Sequence, residues 1–223
     1  MEIEKNLLFQ GIEPDRVKEL IELMDGNIKK YSKGEVIYES GNYINKFAIV
    51  ISGEVLIERY DENGNRVIFS KIEEGGHFGD SYVFLKEIPI MIDVVAGKDT
   101  EVLFIDILKL YEIKLEDNRI LLNITKILAK KNVVLSKKII HSSSKTIRGK
   151  ITSYLREQRI MNKSKKFKIK YNRQILSEYL NCDRSQLSKE LSKMKKEGII
   201  DFNKDFFIIK KDFWLCGYNH IQK

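Results

Sequence analysis

Apolar residues recur along this chain with three different rhythms, and each rhythm predicts a different kind of element. Within residues 2–25, Leu7, Leu8, Val17, Leu20, Ile21 and Leu23 fall at spacings that predict a helical segment covering one side of something else. From Ile28 to about Ile105 the rhythm shortens to two. The segments EVIYES, KFAIVIS, EVLIERY and RVIFSKI are separated by Gly34, Gly41, Gly53, Gly64, Gly75, Gly76 and Gly79. Alternation bounded by turn residues predicts an antiparallel sandwich, barrel or roll. Asp61-Glu62-Asn63-Gly64 reads as a hairpin turn, with glycine where a positive φ is needed. Ile107–Tyr111 reads as a short helix, and a long helical run follows from about Asp117 to His141.

That long run carries more apolar residues than one surface stripe requires. Leu121, Leu128 and Leu135 lie seven apart, and so do Ile120, Ile127 and Val134. One seam suits the chain's own β-domain. The second suits a second copy of the chain, or burial wholly within one chain. The positions assigned to a dimer helix are Ile120, Leu121, Ile124, Ile127, Leu128, Val134 and Leu135. Ser142-Ser143-Ser144-Lys145 then breaks the helix and marks a hinge or boundary. The expected division is residues 1–116, a helix and hinge at 117–144, and a third part at 145–223.

The third part returns to helical spacing. Thr146–Asn162 places Ile147, Ile151, Tyr154 and Leu155 on one side, and the basic connector KSKKFKIKYN leads into a short strand. Two short amphipathic helices follow around a polar break at Asn181-Cys182-Asp183. Asn172 is placed to cap the first, which carries Ile175, Leu176, Tyr179 and Leu180. Asp183 is placed to cap the second, with Gln186 three residues on as in a capping box. Leu187, Leu191 and Met194 form its apolar stripe, and Gly198 supplies the stop. Its opposite face holds Arg184, Ser185, Gln186, Ser188, Lys189 and Lys193, all hydrogen-bond donors or small polar groups. Ile199–Phe202 and Phe206–Ile209 alternate around Asn203-Lys204-Asp205 as a hairpin. The fold class is therefore α+β: an N-terminal antiparallel roll, a long helix, and a C-terminal helix-turn-helix with a wing.

Charge divides the same way. Residues 141–223 hold 20 Lys+Arg against 8 Asp+Glu, a net of +12, whereas residues 1–140 hold 20 against 24 and are acidic. A lysine-rich solvated surface is the bland explanation, but basic character confined to the part with the two-helix unit favours a polyanionic partner, double-stranded DNA. No run approaches the ~18 apolar residues of a membrane span. The acidic start MEIEKNLLFQG lacks the basic region and apolar core of a secretory signal, so a cytoplasmic protein is expected. Cys182 and Cys216 cannot build a disulfide framework or a four-ligand cluster, which fits a reducing compartment and argues against an iron–sulfur centre.

Taken together, these segments resemble the CRP/FNR family of bacterial transcription regulators over nearly the whole chain. KGEVIYESGNYINKFAIVISGEVLIERYDENGNRVIFSKIEEGGHFGD is similar to the family's cyclic-nucleotide-binding-type β-roll. The helix at 117–141 is similar to its dimerisation helix, and NRQILSEYLNCDRSQLSKELSKMKKEGII plus hairpin to its winged helix-turn-helix. The resemblance implies a homodimer on a two-fold-related DNA site, with RNA polymerase as a partner. It also implies an effector in the roll that shifts the helices between DNA-competent and incompetent arrangements. Arg184, Ser185, Ser188 and Lys189 match positions that face base edges, and Gln186 adds a base or phosphate contact. Arg173 and Lys193 are expected at phosphates. Ser185 stands where the family commonly has Glu, so the usual half-site does not carry over.

The effector pocket departs from the family. Cyclic-nucleotide sensors follow their Phe-Gly turn with a ribose-binding Glu and an Arg-Ser pair for the cyclic phosphate. Aligned on Ala96, the arginine position is Ile90 and the serine position Met91. A buried phosphate with no cation is strongly disfavoured, which argues against cAMP. Leu135 and Ser136 stand where those sensors use a hydroxyl pair against adenine. The candidate pocket set is Phe69, Ser70, Gly79, Asp80, Ser81, Tyr82, Met91, Ile92, Leu135 and Ser136. Such a set suits an apolar or aromatic ligand, and equally a packed core. An effector-free regulator stays open, as does a small-molecule-binding module with no specific DNA function.

Other chemistries find little support. Gly75-Gly76-His77-Phe78-Gly79 sits between strands rather than opening a helix, so it reads as a β-turn and not a phosphate loop. His77, His141 and His220 are scattered without metal-ligand spacing, which argues against a metal or haem site. No nucleophile elbow, Ser/His/Asp set or paired carboxylates stand out, and an enzyme is not expected.

Overall fold

Pro14 and Gly11 divide the N-terminal stretch that the apolar spacing predicts as one helical segment. The computed structural model describes residues 3–112 and 118–211, so Cys216 and His220 lie outside the described residues. Ile3–Lys5 and Leu7–Phe9 are short 3-10 turns, and only Pro14–Leu23 is an α-helix, α1. Gly11 takes a positive φ of 78°, and Pro14 holds the first helical position, where its missing N–H costs nothing. Asn6 ties the second turn down: its Oδ1 accepts from Leu8 N at 2.9 Å and its Nδ2 donates to Gly75 O at 2.9 Å.

The chain divides into two compact units, residues 1–130 and 131–223. The first unit contains β1 (Asn27–Tyr31), β2 (Val36–Tyr38), β3 (Phe47–Ser52), β4 (Glu54–Tyr60), β5 (Arg66–Glu73), β6 (His77–Phe78), β7 (Asp93–Ala96) and β8 (Thr100–Ile105). Among the described residues these form two four-stranded antiparallel sheets, ordered β1-β8-β3-β6 and β2-β7-β4-β5. Strand β3 explains the layering. Its side chains alternate between faces, and residues 47–51 are all buried. Ala48 and Val50 join Val55, Phe78, Ile90, Val94, Val102 and Phe104 inside the roll. Phe47, Ile49 and Ile51 join Leu8, Phe9, Val17, Leu20, Leu103 and Ile105 on the other side. β5 lies at a sheet edge, and nearly all of its residues are exposed.

The long helix α2 (Arg119–Ser142) starts in the first unit. Ile120, Ile124 and Ile127 are buried in the cluster around Leu8 and Phe9, with Leu121 and Leu128 packed against it. Asn123 Nδ2 donates to Leu8 O at 3.0 Å and Gln10 O at 2.9 Å, and Arg119 donates to Gly11 O. One seam of the helix is thus occupied by its own chain. Further along, Val133, Val134, Leu135, Ile139 and Ile140 are all more than half exposed.

The second unit holds α3 (Ile147–Asn162), β9 (Lys166–Lys168), α4 (Arg173–Tyr179), α5 (Arg184–Lys196), β10 (Ile200–Asn203) and β11 (Phe206–Ile209). Among the described residues its strands form a three-stranded antiparallel sheet ordered β10-β11-β9. Its core draws Ile151 and Leu155 from α3, Leu176 from α4, and Leu187, Leu191 and Met194 from α5. Ile200, Phe207 and Ile209 come from the hairpin.

Gly79, a member of the pocket set, has a backbone reason to be glycine. Its φ is +80°, and a Cβ there would meet the carbonyl oxygen of Lys46 at 2.7 Å. Gly34 has a similar φ of +86°, but a Cβ would meet nothing within 4 Å. Gly34→Ala should therefore cost the first unit only the left-handed penalty of about 1–2 kcal/mol. Gly79→Ala should cost measurably more in the same denaturation series. Equal losses would show that the Lys46 carbonyl yields freely.

Candidate nucleic-acid interface

Every start and stop of the two-helix unit is made by a local hydrogen bond. Asn172 Oδ1 accepts from Ile175 N at 2.9 Å and starts α4. The break follows as Asn181 takes a positive φ of 49° and Cys182 N donates to Ser177 O at 3.0 Å. Lys150 of α3 reaches across and donates to Asn181 O at 2.7 Å. Asp183 Oδ1 then accepts from Gln186 N at 2.9 Å and from Ser185 Oγ at 2.6 Å, which opens α5 and holds its own carboxyl below the ordinary value. Gly198, with φ +68°, ends the unit. Cys182 is half-buried against the core, and that burial pushes its thiol pKa up.

Packing then decides which face of α5 meets solvent. Leu187, Leu191 and Met194 are fully buried. Beside them, Arg148 of α3 clamps the helix. Its Nε donates to Glu190 at 2.5 Å, and both terminal nitrogens donate to the carboxylate of Glu197 at 2.8 Å. The two bonds from Arg148 hold the Glu197 carboxyl below its ordinary value. With the acids turned toward Arg148, the exposed residues are Arg184, Ser185, Gln186, Lys189 and Lys193, and Ser188 is half-buried among them. Sequence reasoning missed Arg148. The available signal was Glu190 and Glu197, seven apart on an otherwise cationic helix and so on one face.

The hairpin is held by cations over rings. Arg173, expected at a phosphate, is half-buried. Its guanidinium lies 4.8 Å from the Phe202 centroid and 5.2 Å from that of Phe207, and it donates to Lys204 O at 3.4 Å. Lys195 contacts Asp201 at 2.7 Å and Lys210 contacts it at 3.2 Å. Those bonds, Lys195 first, hold the Asp201 carboxyl at about 2.

Behind α4 lies a buried histidine. His141 Nδ1 is 2.9 Å from the Tyr179 hydroxyl, and Nε2 is 2.8 Å from Glu157, which also pairs with Lys137. A neutral ring satisfies both contacts, with Nε2–H donating to Glu157 and Nδ1 accepting from the phenol. The carboxylate alone would favour an imidazolium. Burial, the larger influence, pulls the pKa down, and Lys137 adds to the lowering.

The effector set of the roll is dispersed. Tyr82 and Ile92 pack against the interior cluster, and Gly79 and Asp80 are buried after β6. Phe69 is 55% exposed on the edge strand with Arg59 over its ring at 5.7 Å, Met91 is 69% exposed, and Ser70 and Ser81 face solvent. Leu135 and Ser136 belong to the second unit and are exposed. Ile90, at the arginine position of cyclic-nucleotide sensors, is 0% exposed inside the roll. Neither Ile90 nor Met91 offers a cation or a hydroxyl to a cyclic phosphate.

Residues 28–117 match the family described as "Cyclic nucleotide-binding domain". The match covers the β-roll. Among solved structures the chain is similar to CprK complexed with OCPA, at 15% identity and a TM-score of 0.58, covering 88% of this chain and 92% of that one. It is also similar to the sensor domain of the transcriptional regulator DNR from Pseudomonas aeruginosa, at 20% identity and a TM-score of 0.50, covering 65% of this chain and 93% of that one. No curated protein matches in sequence. At these identities the neighbours establish the fold alone, that of CprK and of the DNR sensor domain. No helix among the described residues is long and apolar enough to cross a membrane.

The lowered His141 pKa gives the second unit a pH dependence of definite sign. An unfolded chain takes up a proton near the ordinary histidine value of 6.5, and the folded unit resists it. The contribution to stability is therefore present above that value and lost as pH falls below it toward the folded pKa. The thermal midpoint of the second unit should fall between about pH 7 and pH 5.5, and His141→Gln should remove that component. An unchanged slope in the variant would assign the effect elsewhere.

Proposed function

We propose that this chain is a homodimeric, sequence-specific DNA-binding transcription regulator of the CRP/FNR type, acting in the cytoplasm. The observation that carries the reading is the outward face of α5. Capping, burial and the Arg148 clamp present Arg184, Ser185, Gln186 and Lys189 to solvent, with Ser188 half-buried among them, on a helix short enough for a major groove. Arg184 offers a bidentate fork to guanine O6 and N7, and Lys189 a less directional donor to the same edge. Lys193 supplies a phosphate contact. Arg173 serves chiefly to fasten the hairpin, because its guanidinium is already stacked on Phe202 and Phe207.

Dimerisation rests on the second half of α2. Val133, Leu135, Ile139 and Ile140 form an exposed apolar run within ten residues, whereas Val134 turns with Lys137 toward Tyr154 and Tyr179 of its own unit. Burying one such side chain is worth roughly 1.5–3 kcal/mol, so a second copy laid along this run is strongly favoured. The seam therefore lies C-terminal to Ile120, Ile124 and Ile127, which the chain's own core already occupies.

The signal is a small effector other than cAMP, because Ile90 stands where the resemblance places the cation for the cyclic phosphate. A second reading, a regulator with no effector in the roll, is favoured by the packing of Ile90, Tyr82 and Ile92 into the interior. Native mass spectrometry of the purified protein separates the two: a co-purifying small molecule supports gating, and a bare chain that binds DNA fully supports the constitutive form.

Two substitutions test the roles on α5. Arg184→Ala should cost about 1–3 kcal/mol at one base position per half-site and relax preference there. Lys193→Ala should weaken all sequences alike and flatten the salt dependence by roughly one unit of slope. Unchanged specificity in the first, or a base-dependent loss in the second, would contradict the assignments. For the dimer, Leu135→Glu with Ile139→Glu alters only exposed side chains and should yield a folded monomer by light scattering. A persistent dimer would place the interface elsewhere.

A further inference from the structure

The second unit contains a cavity of about 480 Å³ that the DNA-binding reading does not use. Its floor is aromatic. Tyr154 stacks on Tyr171 with centroids 6.2 Å apart, and Tyr179 lies 5.1 Å from Tyr171 and 5.7 Å from Tyr154. Val134 of α2 and Met161 of α3, both largely exposed, form an apolar side.

The charged groups at this cavity are unequally engaged. Glu157, the acid among the lining residues, is occupied by Lys137 and His141. Lys168 and Lys170 also line the cavity. Lys168 shares its charge with Asp205 at 3.2 Å, and Lys170 is exposed and makes no ion pair among the described residues. Three lysines against one glutamate leave an excess of positive charge over a ring-lined floor. The volume falls within the range of small-molecule sites, about 300–1,000 Å³, and the lining has their usual character of aromatic surface with a few convergent polar groups.

We propose that this cavity binds a small planar aromatic anion, with its ring against the tyrosines and its charged group at Lys168 and Lys170. Stacking on tyrosine rewards a flat ring, and an ammonium pair at the rim rewards a carboxylate or phosphate. Such a ligand would touch α2 through Val134 and Lys137, α3 through Tyr154, and α4 through Tyr179, all within this one unit. The inference is independent of the DNA reading, since it requires only that the second unit be folded.

Isothermal titration of the full chain with salicylate, indole-3-acetate and adenosine 5′-monophosphate tests it. The two carboxylates and the phosphate ester distinguish the sources of the anion. At least one should saturate with one site per chain. Lys170→Glu, which alters only an exposed side chain, should weaken that binding at least tenfold, and Tyr171→Ala should do the same. Absence of saturable heat from all three probes would overturn the proposal, and so would an affinity that neither substitution changes.

Discussion

Burial of Leu187, Leu191 and Met194 determines what α5 shows to solvent. Each such side chain is worth roughly 1.5–3 kcal/mol when taken from water into the core. Rotating the helix by one residue would expose the stripe and bury a lysine or serine instead. Arg148 reinforces that rotation from the side by taking both carboxylates of the inner flank, Glu190 and Glu197. What is left outward carries donors and small polar groups. The caps at Asn172 and Asp183, the Asn181 turn and the hairpin fastened by Arg173 all serve to keep this one helix in this one rotation.

Strand β3 is apolar on both faces because one face closes the roll and the other meets the N-terminal helices and the start of α2. That layered arrangement depends on volume and alternation, and it tolerates an isoleucine at position 90 where related sensors place a cation. Ile90 is fully buried in that interior and offers no charge there. A fold does not by itself assign a ligand, so the match of the roll does not name its effector.

The features legible in the sequence were those set by near neighbours. Caps, turn glycines and the stripes of α4 and α5 depend on residues three to seven apart, and the alternation of the roll on residues two apart. The features that were not legible join distant segments. Arg148 meets Glu190 and Glu197 across 42 and 49 residues, and Arg173 meets the hairpin rings across about thirty. In α2, periodicity marked the apolar positions without saying which partner covers each. Ile120, Ile124 and Ile127 of its first half are claimed by Leu8, Phe9 and their neighbours, whereas Leu122 and the apolar residues of its second half stay exposed. Phe69 and Met91 matched a pocket in sequence, but both side chains stand in solvent. Pro14 interrupts the N-terminal helical spacing because its ring suits only a first helical position, although the leucines on either side keep the rhythm.

Selection of binding sites from a random duplex pool by the full chain tests the central claim most directly. An enriched, two-fold-related sequence with half-site centres about one helical turn apart is the predicted result, because paired copies of α5 enter successive major grooves on one side of the duplex. A pool that gains no consensus and is retained only through salt-sensitive attraction would contradict it. The basic unit would then be a polyanion-binding surface, and the outward face of α5 would not be a reader of bases.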